Sequence, residues 1–147
     1  MLVEQILPIA RQRLFSVRAD APLTRAASLL GSIDSDLLVV CDGVNRLVGV
    51  ITKTDIVRMI GKCGGSSCRE VVAATMNREV VSCKPSARLQ DIWLAMKERG
   101  LKNVPVVDAN AIPLGVLNAR DALELLLSEA EQDDNLLRDY VACSGYH

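Results

Sequence analysis

Aromatic side chains are scarce in this chain: one Phe, one Trp and two Tyr make up 3% of its 147 residues. Too few of them exist to build stacking platforms for single-stranded bases. An excess of one charge is also missing. The formal net charge is −1 and no run of Lys or Arg exceeds two residues, which leaves no electrostatic footprint for a nucleic-acid backbone. The only histidine is His147, which removes most Ser/His/Asp and Cys/His catalytic arrangements, and a non-enzymatic protein is expected. No 18 apolar residues run together, and Met1 does not open a charged segment followed by an apolar one. Neither a membrane span nor a secretory leader is therefore expected. The five cysteines, Cys41, Cys63, Cys68, Cys83 and Cys143, are odd in number and lack the dense spacing of a disulfide framework, so a reducing cytoplasm is the simplest setting. Cys63 and Cys68 form a C-x4-C pair, but zinc wants four ligands, and no metal site is expected.

What is present is a repeat. The segment Leu47-Val48-Gly49-Val50-Ile51-Thr52-Lys53-Thr54-Asp55-Ile56-Val57 returns as Pro113-Leu114-Gly115-Val116-Leu117-Asn118-Ala119-Arg120-Asp121-Ala122-Leu123, with Gly49 and Gly115, or Asp55 and Asp121, 66 positions apart. A duplicated unit of this size predicts two packed halves with pseudo-two-fold symmetry and a cleft between them. Half of the composition is hydrophobic, ample for such a core.

The same offset extends outward from these segments. Leu23, Ala26, Ala27 and Leu30 lie on one helical face, opened by Asp20-Ala21-Pro22 and expected to stop at Gly31; Leu89, Ile92, Trp93 and Met96 repeat it after Pro85-Ser86, up to Gly100. Two apolar runs then follow in each copy around Asp42-Gly43 or Asp108-Ala109-Asn110, which predicts a hairpin buried on both faces. Each hairpin feeds a helix, Asp55–Ile60 or Asp121–Leu127. The stretches 14–17 and 80–83 predict one more strand ahead of each copy, and Val3–Leu7 and Val71–Met76 predict short helical lead-ins. The fold class is thus α/β (α+β), a β-α-β-β-α unit used twice. Expected boundaries are 1–60 for the first copy with its lead-in, 61–70 for a Gly/Ser linker, 71–127 for the second copy and 128–147 for a helical tail with Leu136, Leu137, Tyr140 and Val141 on one face.

Thr52-x-x-Asp55 and Asn118-x-x-Asp121 allow two readings. A carboxylate in the first turn of a helix can accept hydrogen bonds from two neighbouring ribose hydroxyls, with the Thr hydroxyl or Asn amide assisting. The same spacing also suits a helix cap, in which the carboxylate bonds the backbone and complements the helix dipole.

The duplicated strand-Gly-Val-x-[Thr/Asn]-x-x-Asp-helix pattern, together with Val104-Pro105-Val106-Val107-Asp108, resembles the CBS motif, named after cystathionine β-synthase and found in tandem pairs. The resemblance covers about residues 1–125 and implies a stand-alone CBS pair. It implies that Asp55 and Asp121 contact ribose and that Lys102 and Asn103, just before Pro105, contact phosphate. Lys84 and Arg120 could add charge, and the strand ends at Val17, Ser82 and Cys83, with Pro105 at the start of a strand, could wall a base. In the first copy the offset puts Asp36 for Lys102, Leu37 for Asn103 and Val39 for Pro105. Like charge at Asp36 repels phosphate, so the preferred site is expected in the second copy, at Ser82, Lys84, Lys102, Asn103, Val104, Pro105, Asn118, Arg120 and Asp121. A weaker first-copy site would use Val17, Arg18, Thr52 and Asp55, with Lys53 and Arg58 as further charges. The implied function is a regulatory sensor, commonly a homodimer, that binds AMP, ADP or ATP and acts on a protein partner whose identity the sequence leaves open. S-Adenosylmethionine is an alternative ligand, and an interaction module with empty clefts is the alternative role.

Overall fold

One aspartate organises the turn at the centre of each copy. Asp42 Oδ1 accepts the backbone N–H groups of Val44 and Arg46 at 3.0 and 2.9 Å, and Asp108 Oδ1 accepts those of Asn110 and Ile112 at 2.8 and 3.0 Å. Both turns place one residue in the left-handed region, Asn45 and Ala111, each at φ 64°. Such side chain-to-backbone bonds reverse the chain within a few residues, which is why two apolar runs become a hairpin.

The computed structural model describes residues 1–63 and 69–145, and side chains at residues 1–62 and 69–133. A 3-10 turn (Val3–Ile6) leads into α1 (Leu7–Gln12), followed by β1 (Ser16–Arg18), α2 (Leu23–Ser32), β2 (Leu37–Cys41), β3 (Leu47–Thr52) and α3 (Lys53–Cys63). The second copy supplies α4 (Val72–Thr75), α5 (Leu89–Arg99), β4 (Asn103–Val107), β5 (Pro113–Asn118) and α6 (Ala119–Gly145). β1 is parallel to β2, β2 antiparallel to β3, and β4 antiparallel to β5. The expected strand at 80–83 shrinks to a single parallel bridge between Cys83 and Val106. The reason lies in Pro105. Its counterpart Val39 donates its N–H to the Phe15 carbonyl at 2.9 Å, whereas Pro105 has no N–H to offer Val81.

Other expectations shift for equally local reasons. α2 runs through Gly31 to Ser32, while α5 does stop at Gly100, which adopts φ 66°. No side chain caps either helix; the N–H of Leu23 goes to the Glu70 carbonyl at 2.8 Å and that of Leu89 to the Met1 carbonyl at 2.9 Å. The helix expected to end at Leu127 continues without a break into the tail as α6, since no Gly or Pro interrupts 119–144. Residues 64–68, which include Cys68, the side chain of Cys63, and the tail face of Leu136, Leu137, Tyr140 and Val141 lie outside the described residues and side chains.

Those backbone caps reveal a crossing. The lead-in at 1–12, grouped by sequence with residues 1–60, packs on the second copy: Val3 and Ile6 are buried with Cys83, Leu89, Met96, Val104 and Leu117. Conversely Val72 and Met76 of the second lead-in are buried with Leu23, Leu30, Leu38 and Ile51 of the first copy. The repeated glycines make room for the exchange. A Cβ on Gly49 would lie 2.7 Å from Met76 Sδ and 2.9 Å from the Asn77 carbonyl oxygen, and one on Gly115 would lie 2.8 Å from the Ala10 backbone. A third cluster, Leu37, Val39, Cys41 and Val116, joins the two sheets.

Candidate functional site

A cavity of 480 Å³ opens where the two copies meet. Its first wall is the start of β2 and the end of β3 running into α3, with Asp36, Leu37, Val50, Thr52, Lys53 and Thr54. The opposite wall is the start of β4, with Lys102, Asn103 and Pro105 preceded by Gly100 and Leu101. Between them runs the extended segment that follows α4, contributing Asn77, Glu79, Val80 and Val81. The cavity therefore draws on both copies at once. Of the expected site residues it unites Thr52 with Lys102, Asn103 and Pro105, which the reading by copy had divided between two sites.

The polar chemistry follows from the backbone. Pro105 denies Val81 the bond that Phe15 receives from Val39, so the Val81 carbonyl stays clear of the sheet beside the cavity. Thr52 and Asp55 form a reciprocal cap: Thr52 donates its N–H and its hydroxyl to Asp55 Oδ2, both at 2.9 Å, and its Oγ1 accepts the Asp55 N–H at 3.2 Å. The capping reading is thus present in the geometry. Asp55 stands behind Thr52 instead of lining the cavity. Two carboxylates, Asp36 and Glu79, share the lining with two ammonium groups, Lys53 and Lys102, and Lys53 pairs with Asp36 at 3.5 Å. This lining is balanced in charge.

The remaining expected residues lie elsewhere. Asp121 accepts two hydrogen bonds from Arg13, Nη2 to Oδ1 at 2.9 Å and Nε to Oδ2. The bond to Asp121 holds the Arg13 guanidinium above its ordinary pKa, against the opposing cost of burial. Asn118 caps α6, its Oδ1 accepting the Arg120 N–H at 3.0 Å, while its Nδ2 donates to Asn103 Oδ1 at 3.1 Å. Ser82, Lys84 and Arg120 are exposed away from the cavity, and Val104 is buried in the second core. Val17 belongs to the first core, and Arg18 forks onto Asp20 at 3.0 and 3.1 Å beside a separate, wide depression. Sequence reasoning missed Glu79, the Val81 carbonyl and Arg13. The offset of 66 could have flagged the first and last, because it pairs Arg13 with Glu79.

Burial pushes the Cys41 thiol up, with the neighbouring Asp42 carboxylate adding to the effect, and raises the Cys83 thiol to about 11. Among the described residues no group of three His, Cys, Asp or Glu could hold a metal ion, and no helix is long and apolar enough to cross a membrane.

The model of the CBS domain matches residues 3–62 and again 68–128. The chain belongs to the CBS-domain family. This CBS pair is 26% identical over 129 residues to a 17.7 kDa protein of Acidianus ambivalens, covering 86% of this chain and 75% of that protein. It is 23% identical over 127 residues to the protein MJ1225 of Methanocaldococcus jannaschii, covering 86% of this chain and 44% of that longer one. Among solved structures, CBSX2 in complex with AMP superposes at a TM-score of 0.75 and 24% identity, covering 88% of this chain and 98% of that one. The CBS domain pair of MJ0100, in complex with 5-methylthioadenosine and S-adenosyl-L-methionine, gives 0.72 and 21%, with the same coverage of 88% and 98%. At these identities the likeness is one of fold.

Proposed function

We propose that the cavity between the two CBS copies binds an adenine nucleotide and that this pair acts as a regulatory sensor. The observation that carries the reading is the join of Thr52 and Lys53 from one copy to Val81, Lys102, Asn103 and Pro105 from the other around 480 Å³, a volume suited to a ligand of this size. The base would lie against Val81 and Pro105, its amino group donating to the free Val81 carbonyl. Thr52 and Asn103 would meet the ribose, and Lys102 the phosphate. Because Asp36 and Glu79 offset Lys53 and Lys102, a single phosphate suits the charge better than three, which favours AMP over ADP and ATP. S-Adenosylmethionine, carrying both signs, is the competing ligand, and the two solved relatives hold AMP in one case and S-adenosylmethionine in the other.

Since the ligand would touch both copies, its binding would favour one relative arrangement of them and so alter affinity for a regulated protein. Calorimetric titration with AMP, ATP and S-adenosylmethionine tests the ligand. Saturable AMP binding that Lys102→Glu and Thr52→Ala weaken at least tenfold is the expected result. No heat at millimolar concentration of any of the three would overturn the sensor reading, and turnover of the nucleotide would make the protein an enzyme.

A homodimer fits a second observation. Val57 and Ile60 on α3 are 67% and 54% exposed, and Leu123 and Leu127 on α6 are 38% and 54% exposed, with Val57 and Leu123 at matching positions of the repeat. Two such faces could meet their equivalents in a second copy. Sedimentation of the wild type against Val57→Glu/Leu123→Glu should show a dimer become a monomer; a wild-type monomer at micromolar concentration rejects it.

A further inference from the structure

The pseudo-two-fold axis requires a second cleft, and the structure contains one. A depression of 280 Å³ is lined by Ile9, Gln12, Arg13, Phe15, Asp34 and Ser35. Arg13, Phe15, Asp34 and Ser35 stand 66 positions before Glu79, Val81, Gly100 and Leu101, all four of which line the large cavity. The two are therefore symmetry mates of unequal size. What the smaller one lacks is the wall that Thr52–Thr54 give the larger; the corresponding Asn118–Arg120 do not line it.

Arg13 explains the difference. Its guanidinium spans 108 positions of sequence to grip Asp121 with two hydrogen bonds, and Asp34 and Glu124 add attraction. The Asp121 side chain is left only 12% exposed. The backbone agrees. Phe15, the counterpart of Val81, has its carbonyl taken by the Val39 N–H at 2.9 Å, so no free acceptor faces this cleft from that position.

We propose that Arg13 is a built-in occupant of the second cleft, fastened to the carboxylate that the repeat makes equivalent to Asp55, and that it restricts this chain to one ligand. The proposal rests on the nucleotide reading of the large cavity. At the matching position the larger cavity carries Glu79, which is exposed and reaches no such partner across it, so that cleft stays open. Arg13 thus decides occupancy by geometry and charge together: it forms part of the wall of the smaller cleft and holds the Asp121 carboxylate in two hydrogen bonds, so that neither group is open to a ligand.

Calorimetry with AMP, and with adenosine so that Asp34 and Asp36 repel no phosphate, tests this on the wild type, Arg13→Ala and Arg13→Gln. The wild type should bind one equivalent per chain, and both variants should gain a second. Unchanged stoichiometry in folded variants, or a weaker first site in Arg13→Gln, overturns the proposal. A wild type that binds neither probe overturns the nucleotide reading instead, and the Arg13 proposal is then decided by whether the variants go from none to one. Amide NMR of the wild type needs no variant to fold. At saturating AMP the signals of 52–55 and 100–103 should shift while those of Ile9, Gln12 and Arg13, which line the smaller depression, stay in place, and movement at these three overturns the proposal.

Discussion

Cys83 shows how burial alone sets the behaviour of a side chain. It is packed with Val104, Val106 and Leu117, and that desolvation pushes its thiol up to about 11. The fold therefore prefers the neutral thiol. Its contribution to stability is complete below the ordinary value of 9.0, and it is lost as pH rises through about 11, because the unfolded chain releases the proton first. The difference in urea midpoint between wild type and Cys83→Ala should be constant up to about pH 9 and narrow above it; parallel profiles to pH 11 would contradict this. Asp55 makes a second test. Its reciprocal cap with Thr52 should be worth about 1 kcal/mol, so Asp55→Ala should lower the urea midpoint accordingly and Asp55→Asn by less. A loss below the error of the fit would remove the cap from the account. This pair was legible in the sequence because its partners are three residues apart. Arg13 and Asp121 were not, since nothing local in either segment signals a contact across 108 positions.

Each hairpin can be read from its own residues, whereas the contacts between elements cannot. The apolar runs, the Asp42 and Asp108 turns and the stop at Gly100 were all visible, because hydrogen bonds within a few residues decide them. The caps of α2 and α5 could not be read from the residues that open them, because the carbonyls of Glu70 and Met1 supply them and their packing is a tertiary fact. The strand at 80–83 was lost to one missing N–H at Pro105. Ala111 marks a place where the second hairpin carries avoidable strain. At φ 64° it occupies a region that costs an L-residue about 1–2 kcal/mol, while Asn45 fills the equivalent position with a residue that tolerates it. Ala111→Gly should therefore stabilise the chain by roughly 0.5–1 kcal/mol after the entropy cost of glycine, read as a higher urea midpoint with an unchanged slope. A lower midpoint would show that the Ala methyl contributes more than its backbone strain costs.

For the whole molecule, the exchange of lead-ins makes the repeat boundaries of the sequence poor guides to the units that unfold. Residues 1–12 complete the second core and residues 72–76 complete the first, so neither copy keeps its core when separated from the other. The cluster of Leu37, Val39, Cys41 and Val116 ties the sheets as well. Unfolding should then be one cooperative transition, which the single tryptophan can report. Trp93 lies on α5 against the second core, whereas Gly49 packs on Met76 at the edge of the first. In Gly49→Ala the new methyl meets the Asn77 carbonyl at 2.9 Å as well as the flexible Met76, and overpacking of this kind costs about 1–3 kcal/mol. Gly115→Ala should cost at least as much, because the atoms in its way are the carbonyl group and Cβ of Ala10, none of which can swing aside as the Met76 side chain can. If the copies form one folding unit, Gly49→Ala moves the Trp93 fluorescence transition in urea by as much as the circular-dichroism transition, although the mutation lies in the other copy. If the fluorescence midpoint stays at the wild-type value while the dichroism curve splits, the copies unfold separately. Ligand binding would then order one copy at a time, and a cavity between them could not transmit occupancy as a change in the whole.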